Sequence, residues 1–169
     1  GQTASFNMRG VGNFPSIHFD QGVGVYVDGV YLSRNAGTLV DIVDTQSIEV
    51  LRGPQGTLFG KNNLGGAINI TTVKPSRDFE ASLFVRTGSY DQADTRATLN
   101  VPLDLGLDVF QDKLFTRLTF ASFYNDGYVY NPVRDEHVSD RNSLNFLGSL
   151  RYLPTDDLTI DISGTYSKS

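Results

Sequence analysis

The stretch Ile48-Glu49-Val50-Leu51-Arg52-Gly53-Pro54-Gln55-Gly56-Thr57-Leu58-Phe59-Gly60-Lys61-Asn62-Asn63-Leu64-Gly65-Gly66-Ala67-Ile68-Asn69-Ile70-Thr71-Thr72-Val73-Lys74-Pro75 decides the fold. Two short apolar runs, Ile48 to Leu51 and Ala67 to Val73, flank a linker holding Gly53, Pro54, Gly56, Gly60, Gly65 and Gly66. So many positions without a Cβ favour tight turns and close approach of one backbone to another.

Gly60-Lys61 invites comparison with a phosphate-binding loop, and the spacing rejects it. Such a loop needs a glycine five positions before Gly-Lys-Ser/Thr, so that amides cradle phosphate and a hydroxyl reaches magnesium. Gln55 stands at the first of those positions and Asn62 at the last. Gly22-Val23-Gly24 likewise lacks the third glycine of a dinucleotide fingerprint, because Val27 occupies it.

Composition narrows the function classes. With 39% apolar and 20% charged residues, the 169-residue chain is long enough to bury a core. Seventeen Gly, eight Tyr and eleven Phe, with one Met and no Trp, lean toward β structure rich in turns. A formal charge of -5 argues against a nucleic-acid partner, which needs a clustered basic surface. The absence of cysteine removes disulfides and thiol chemistry together. No run of about eighteen apolar residues reads as a membrane helix, and no N-terminal signal is visible. The first residues already look like the inside of a domain, so a piece of a longer protein is expected.

Along the first half, Phe6 and Met8 alternate with Asn7 and Arg9, a short strand running into a loop from Gly10 to Gly22. Val25 and Val27 alternate with Tyr26 and Asp28. Asp28-Gly29 then predicts a hairpin turn before Val30-Tyr31-Leu32. Ser33 to Gly37 reads as a second polar loop. Thr38 to Val50 reads as a short helix, with Leu39, Val40, Ile42 and Val43 apolar and Asp41 and Asp44 solvated.

Five motifs in order now carry a resemblance. They are Met8-Arg9-Gly10, Val25-Tyr26-Val27-Asp28-Gly29-Val30, Ile48-Glu49-Val50-Leu51-Arg52-Gly53-Pro54, Leu58-Phe59-Gly60, and Gly65-Gly66-Ala67-Ile68-Asn69. Together they resemble the plug of TonB-dependent outer-membrane receptors. The resemblance implies a membrane all-β barrel of about twenty-two antiparallel strands with a small mixed α+β plug inside. Residues 1–75 would be the later part of the plug and residues 76–169 the first five transmembrane strands. The TonB box and the earlier plug segment are expected to be missing.

The second half tests that implication without using it, since barrel strands of about ten residues should alternate at period two. Phe79, Ala81, Leu83 and Val85 share one parity against Glu80, Ser82 and Arg86. Ala93, Ala97, Leu99 and Val101 stand against Asp94, Arg96, Thr98 and Asn100. Leu114, Leu118 and Phe120 oppose Arg117 and Thr119; Leu144, Phe146, Leu150 and Tyr152 oppose Asn145, Ser149 and Arg151. Leu158, Ile160, Ile162 and Tyr166 oppose Thr159, Asp161, Ser163 and Thr165. Arginines within these five strands all take the polar parity. Phe84, Phe115, Phe123 and Leu147 break the rule, and the resemblance implies that they pack on the plug. Thr116, Ser122, Gly148 and Gly164 break it on the apolar side. A soluble β-sandwich alternates in the same way with its apolar face inward, so parity alone leaves both folds open.

The resemblance also gives the connections a direction. Pro102 to Lys113 and Pro154 to Asp157 would be periplasmic, and the long Asn125 to Asn142 connection would face outside.

No enzyme is read. His18 and His137 lie in different halves, which supports no metal site, no catalytic set has local support, and no cofactor is expected. The resemblance implies that the loops Gly10 to Gly22 and Ser33 to Thr38 meet substrate, with Phe14, His18, Arg34 and Asn35 as candidates. Aromatic rings with a few polar groups suit a large chelate or sugar. Arg9 and Arg52 match family positions that pair with barrel carboxylates and are expected to be structural or gating residues. The expected function is TonB-dependent uptake of a scarce nutrient, such as a ferric siderophore, across the bacterial outer membrane. TonB, outer-membrane lipid and the substrate are the expected partners, and nucleic acid is not. The alternatives are a soluble β-rich binding or adhesion module, and a receptor of the same family devoted to signalling or attachment.

Overall fold

The computed structural model describes residues 7–8, 11–12, 22–32, 44–54, 56, 63–103, 106, 110–127, 129–131, 136–138 and 140–168. Two compact units divide the chain, residues 1–73 and 74–169. Every element bounded among the described residues is a strand.

In the first unit, β1 (Asn7–Met8) and β2 (Val11–Gly12) form a two-stranded antiparallel pair. Val11–Gly12 was expected as loop and instead returns along β1. A four-stranded sheet is built from β3 (Val23–Val27), β4 (Val30–Tyr31), β5 (Thr45–Arg52) and β6 (Gly66–Thr72) in the order β4-β3-β6-β5. Asp28 and Gly29, with φ of 49° and 81°, form the predicted turn between β3 and β4. The β3 to β6 pairing is parallel and the other two are antiparallel. A parallel pair needs a long crossover. Here that crossover contains β4 and β5.

The expected helix over Thr38 to Val50 is overturned where the structure describes it. Thr45 to Arg52 is a strand, paired with β6 through rungs such as Ile48↔Ile70 and Val50↔Ile68. β-Branched Thr45, Ile48 and Val50 fit a pleated surface, and that non-local pairing overrides a weak helical spacing. Residues 38–43 lie outside the described residues.

Val23, Val25, Ile68 and Ile70 form the core of this unit, with Met8, Val27 and Leu32 packed against them. Gly24 is required by what crosses it. A Cβ there would stand 1.9 Å from Asn63 Oδ1 and 2.9 Å from the Tyr26 ring. Asn63 is buried and donates through Nδ2 to the Tyr26 hydroxyl at 2.9 Å.

The second unit is an antiparallel meander of β7 (Glu80–Gly88), β8 (Gln92–Pro102), β9 (Leu114–Asn125), β12 (Arg141–Thr155) and β13 (Leu158–Lys168), hydrogen-bonded in chain order. All five agree with the alternating segments read from sequence, and β12 extends beyond its segment at both ends. The long third connection carries a hairpin of β10 (Val129–Asn131) and β11 (Glu136–Val138).

Burial in this sheet runs opposite to that of a soluble sandwich. The three central strands make the test, because no open edge inflates their exposure. On their polar face Asn100 and Thr119 are 0% exposed and Asn145 is 3% exposed. On their apolar face Leu118 is 39% exposed and Phe146 43%. Cross-strand rows such as Leu83, Ala97, Phe120, Phe146 and Tyr166 form one continuous apolar surface. A water-soluble sandwich would turn that row inward.

Several charged groups on the polar face are partnered across strands. Arg86 meets Asp94 at 2.5 Å, and Arg117 reaches Glu80 at 3.0 Å along the rung Glu80-Asn100-Arg117. Arg151 contacts Asp161 at 2.7 Å, and the Arg141 guanidinium lies 4.1 Å over the Phe123 ring. Of the four apolar residues on this parity, Phe115, Phe123 and Leu147 are buried, whereas Phe84 on edge strand β7 is 54% exposed.

Gly24→Ala is expected to overpack the Asn63 crossing and destabilise the first unit by about 1–3 kcal/mol. Thermal unfolding of the complete protein checks this, and an unshifted transition would show that Asn63 has room to move.

Candidate functional site at the ends of the first sheet

The backbone register gathers the loops of the first unit at one end of its sheet. β3 and β4 are antiparallel, with Tyr26↔Tyr31 paired and the Leu32 amide donating to the Val25 carbonyl at 2.8 Å. The start of β3 and the exit from β4 therefore lie at the same end, away from the Asp28-Gly29 turn. β6 starts at that end too, because Val23 pairs with Gly66 in the parallel ladder. β5 finishes there, with Arg52 opposite Gly66.

Backbone bonds knit these termini together. Gly65 N–H donates to the Gly22 carbonyl at 2.8 Å, and Gly53 N–H donates to the Gly65 carbonyl at 3.0 Å. Gly66 closes the row at φ +150°, where an added Cβ would stand 2.3 Å from the Leu51 carbonyl oxygen. Three connections thus attach side by side: the one before Gly22, the one after Leu32, and the one between Gly53 and Gly65. The Tyr26 and Tyr31 rings face each other across the β3–β4 pair with centroids 5.4 Å apart, and the Tyr26 hydroxyl accepts from Asn63.

Of the residues singled out from sequence, Arg52 is described. It ends β5 and is exposed. Phe14, His18, Arg34, Asn35 and Arg9 lie outside the described residues. His137 sits in β11 opposite Tyr130, in the second unit.

At the opposite end of the sheet a carboxylate that sequence reading left as a turn residue acts as a latch. Thr72 N–H donates to Asp28 Oδ1 at 3.0 Å, and Thr72 Oγ1 donates to Asp28 Oδ2 at 2.6 Å. The Asp28 amide in turn donates to the Ile70 carbonyl at 2.9 Å. Val73 N–H donates to the Asp44 carbonyl at 3.0 Å. The last residues of the first unit are therefore fastened to β3 and to the start of β5. Asp28-Gly29 announced the turn; nothing local to Thr72 announced its partner.

Residues 1–67 match the model of the TonB-dependent receptor plug domain. The chain carries a TonB-dependent receptor plug. The pesticin receptor of Yersinia pestis is 34% identical over 156 residues, covering 90% of this chain and 22% of that protein. The ferrioxamine B receptor of Salmonella typhimurium is 26% identical over 142 residues, covering 82% of this chain and 18% of that protein. Among solved structures, the ferric yersiniabactin uptake receptor FyuA from Yersinia pestis aligns with a TM-score of 0.82. That alignment has 28% identity and covers 98% of this chain and 25% of that one. The pyoverdine outer membrane receptor FpvA from Pseudomonas aeruginosa, at 23% identity and a TM-score of 0.71 over 85% of this chain, shows the shared fold. The chain spans about a fifth to a quarter of the length of these relatives. Its place is the outer membrane, and its relatives are receptors rather than enzymes.

Within the plug, the Asp28 latch yields a direct test. Asp28→Asn keeps a residue tolerant of the left-handed turn and turns one acceptor into a donor facing Thr72. It is expected to cost about 1.5–3 kcal/mol locally, the range for a bond to a charged group. Faster amide exchange at Thr72, with the Val23 to Val27 amides unchanged, is the expected readout.

Proposed function

We propose that the complete protein takes up a scarce nutrient across the outer membrane, most specifically a ferric siderophore or another large chelate or sugar, with energy delivered through TonB. The observation that carries this reading is the match of nearly the whole chain, plug and following strands alike, to a receptor named for ferric yersiniabactin uptake. A likeness confined to the plug would support the family alone. Extension through all five strands of the second unit supports the same transport architecture.

In this reading residues 1–75 are the later part of the plug, and residues 76–169 are the first five strands of a closed barrel of about twenty-two. The apolar face carrying Leu118, Phe120 and Phe146 meets lipid, and the face carrying Asn100 and Thr119 lines the inside. Exposed apolar rows beside buried polar ones favour this over a soluble adhesion module. Five strands leave two open edges that cannot face lipid unpaired, so the sheet requires further strands to close it. Substrate meets the loops from Gly10 to Gly22 and from Ser33 to Thr38, through Phe14, His18, Arg34 and Asn35. The shared attachment of these loops at one end of the plug sheet supports treating them as one surface. Arg9 and Arg52 act as structural or gating residues that pair with barrel carboxylates.

A deletion strain given a labelled ferric siderophore is expected to lose uptake and regain it with the complete gene. In a strain lacking TonB, binding should persist while accumulation stops. Accumulation that continues without TonB would exclude the mechanism. Lipid contact has its own test: Leu118→Arg, at the centre of β9, should lower the stability of the complete receptor in vesicles by about 2–4 kcal/mol. Equal stability in denaturant titrations would remove Leu118 from the lipid face.

A further inference from the structure

The side chain of Asn100 is 0% exposed, and its partners come from the chain ahead of β7 rather than from a neighbouring strand. Oδ1 accepts the Ser76 N–H at 3.1 Å. Nδ2 donates to the Ser76 carbonyl at 3.0 Å, to Ser76 Oγ at 3.1 Å and to the Asp78 carbonyl at 2.5 Å. A carboxamide has the donor and acceptor of a peptide group. Its bonds to both N–H and C=O of Ser76 reproduce the paired exchange of an antiparallel rung. Two Nδ2 hydrogens serve three acceptors, so one is shared.

The position of this fastening gives it a consequence. Ser76 follows the unit boundary at Val73 and Lys74 by two residues, and β7 begins four residues later at Glu80. Glu80 is the backbone partner of Asn100 in the β7–β8 ladder, and its carboxylate is held by Arg117 from β9. One residue of β8 therefore grips the incoming chain twice, through its side chain at Ser76 and through its ladder position at Glu80.

Tension arriving along the chain from the first unit would otherwise fall on the end of an antiparallel ladder. Such a ladder opens rung by rung. The Asn100 carboxamide meets the tension at Ser76, before the ladder, with bonds that must yield together. We propose that Asn100 is a mechanical stop, which ends any pulled-out segment of the first unit at Ser76 and keeps β7 seated. Its role in transport rests on the TonB-driven reading above, in which force reaches the plug; the stop itself does not depend on it.

The test is to pull the complete receptor in a lipid bilayer from the N-terminal side of its plug, one molecule at a time. Wild-type protein is expected to pause with the chain released up to Pro75. Asn100→Ala and Asn100→Asp, which both lack the Nδ2 donors, should move that pause outward by the length of residues 76–88, about 47 Å at ~3.6 Å per residue. Equal release in wild type and variants, or a wild-type trace that runs through to Gly88 without pausing, overturns the proposal. Should neither variant fold, amide exchange in wild type decides. A Ser76 amide as slow as those of β8 upholds the fastening, and one exchanging as fast as open chain refutes it. Neither measurement uses TonB or substrate, so the stop and the uptake reading fail separately.

Discussion

Backbone pairing in the five-stranded meander is the constraint from which the rest follows. Once β8, β9 and β12 satisfy their amides through each other, period-two alternation commits each residue to one face or the other. A slip of one residue would send Arg117, Asn100 and Asn145 to the side of Leu118, Leu99 and Phe146. Neighbours could not then offset the change, because most rungs run across three or more strands.

That commitment explains why the charged groups are arranged as they are. A carboxylate or guanidinium on the buried face needs a partner within reach, and the ladder supplies one across a strand or two. Arg86 finds Asp94 in the adjacent strand, and Arg151 finds Asp161. Arg117, with its side chain only 10% exposed, reaches past Asn100 to Glu80. Such half-exposed pairs contribute little to stability by themselves, about 0–1 kcal/mol for the more open ones. Their larger effect is on register, since a shifted strand would leave a buried cation without its acceptor.

Features carried by local chemistry were legible in the sequence. The five alternating strands and the Asp28-Gly29 turn depend on residues within a few positions of each other, and all appear in the structure. Features that depend on distant pairing were not. β5 was expected as helix because Leu39, Val40, Ile42 and Val43 suggested a helical stripe. What decides its conformation is β6, about twenty residues later, through Ile48↔Ile70 and Val50↔Ile68. The candidate site divides along the same line. Motif order pointed to the right domain, but Asp28 was legible only as a turn former and Asn100 only as a polar-parity residue. Their partners, Thr72 and Ser76, stand 44 and 24 residues away.

Those two illegible contacts belong to one physical solution. A chain leaving a sheet must satisfy backbone groups that no longer have a neighbouring strand. The first unit solves this at Thr72 with the carboxylate of Asp28, which takes both the amide and the hydroxyl. The second unit solves it at Ser76 with the carboxamide of Asn100, which can accept and donate at once. The choice of group follows from the need. Thr72 offers two donors, for which a carboxylate suffices; Ser76 presents an amide and a carbonyl, which only a carboxamide can answer with both hands. Aspartate at residue 100 could still accept from Ser76 N–H but would set its negative charge against two carbonyl oxygens. Residue chemistry at these two positions therefore fixes where each folded unit ends.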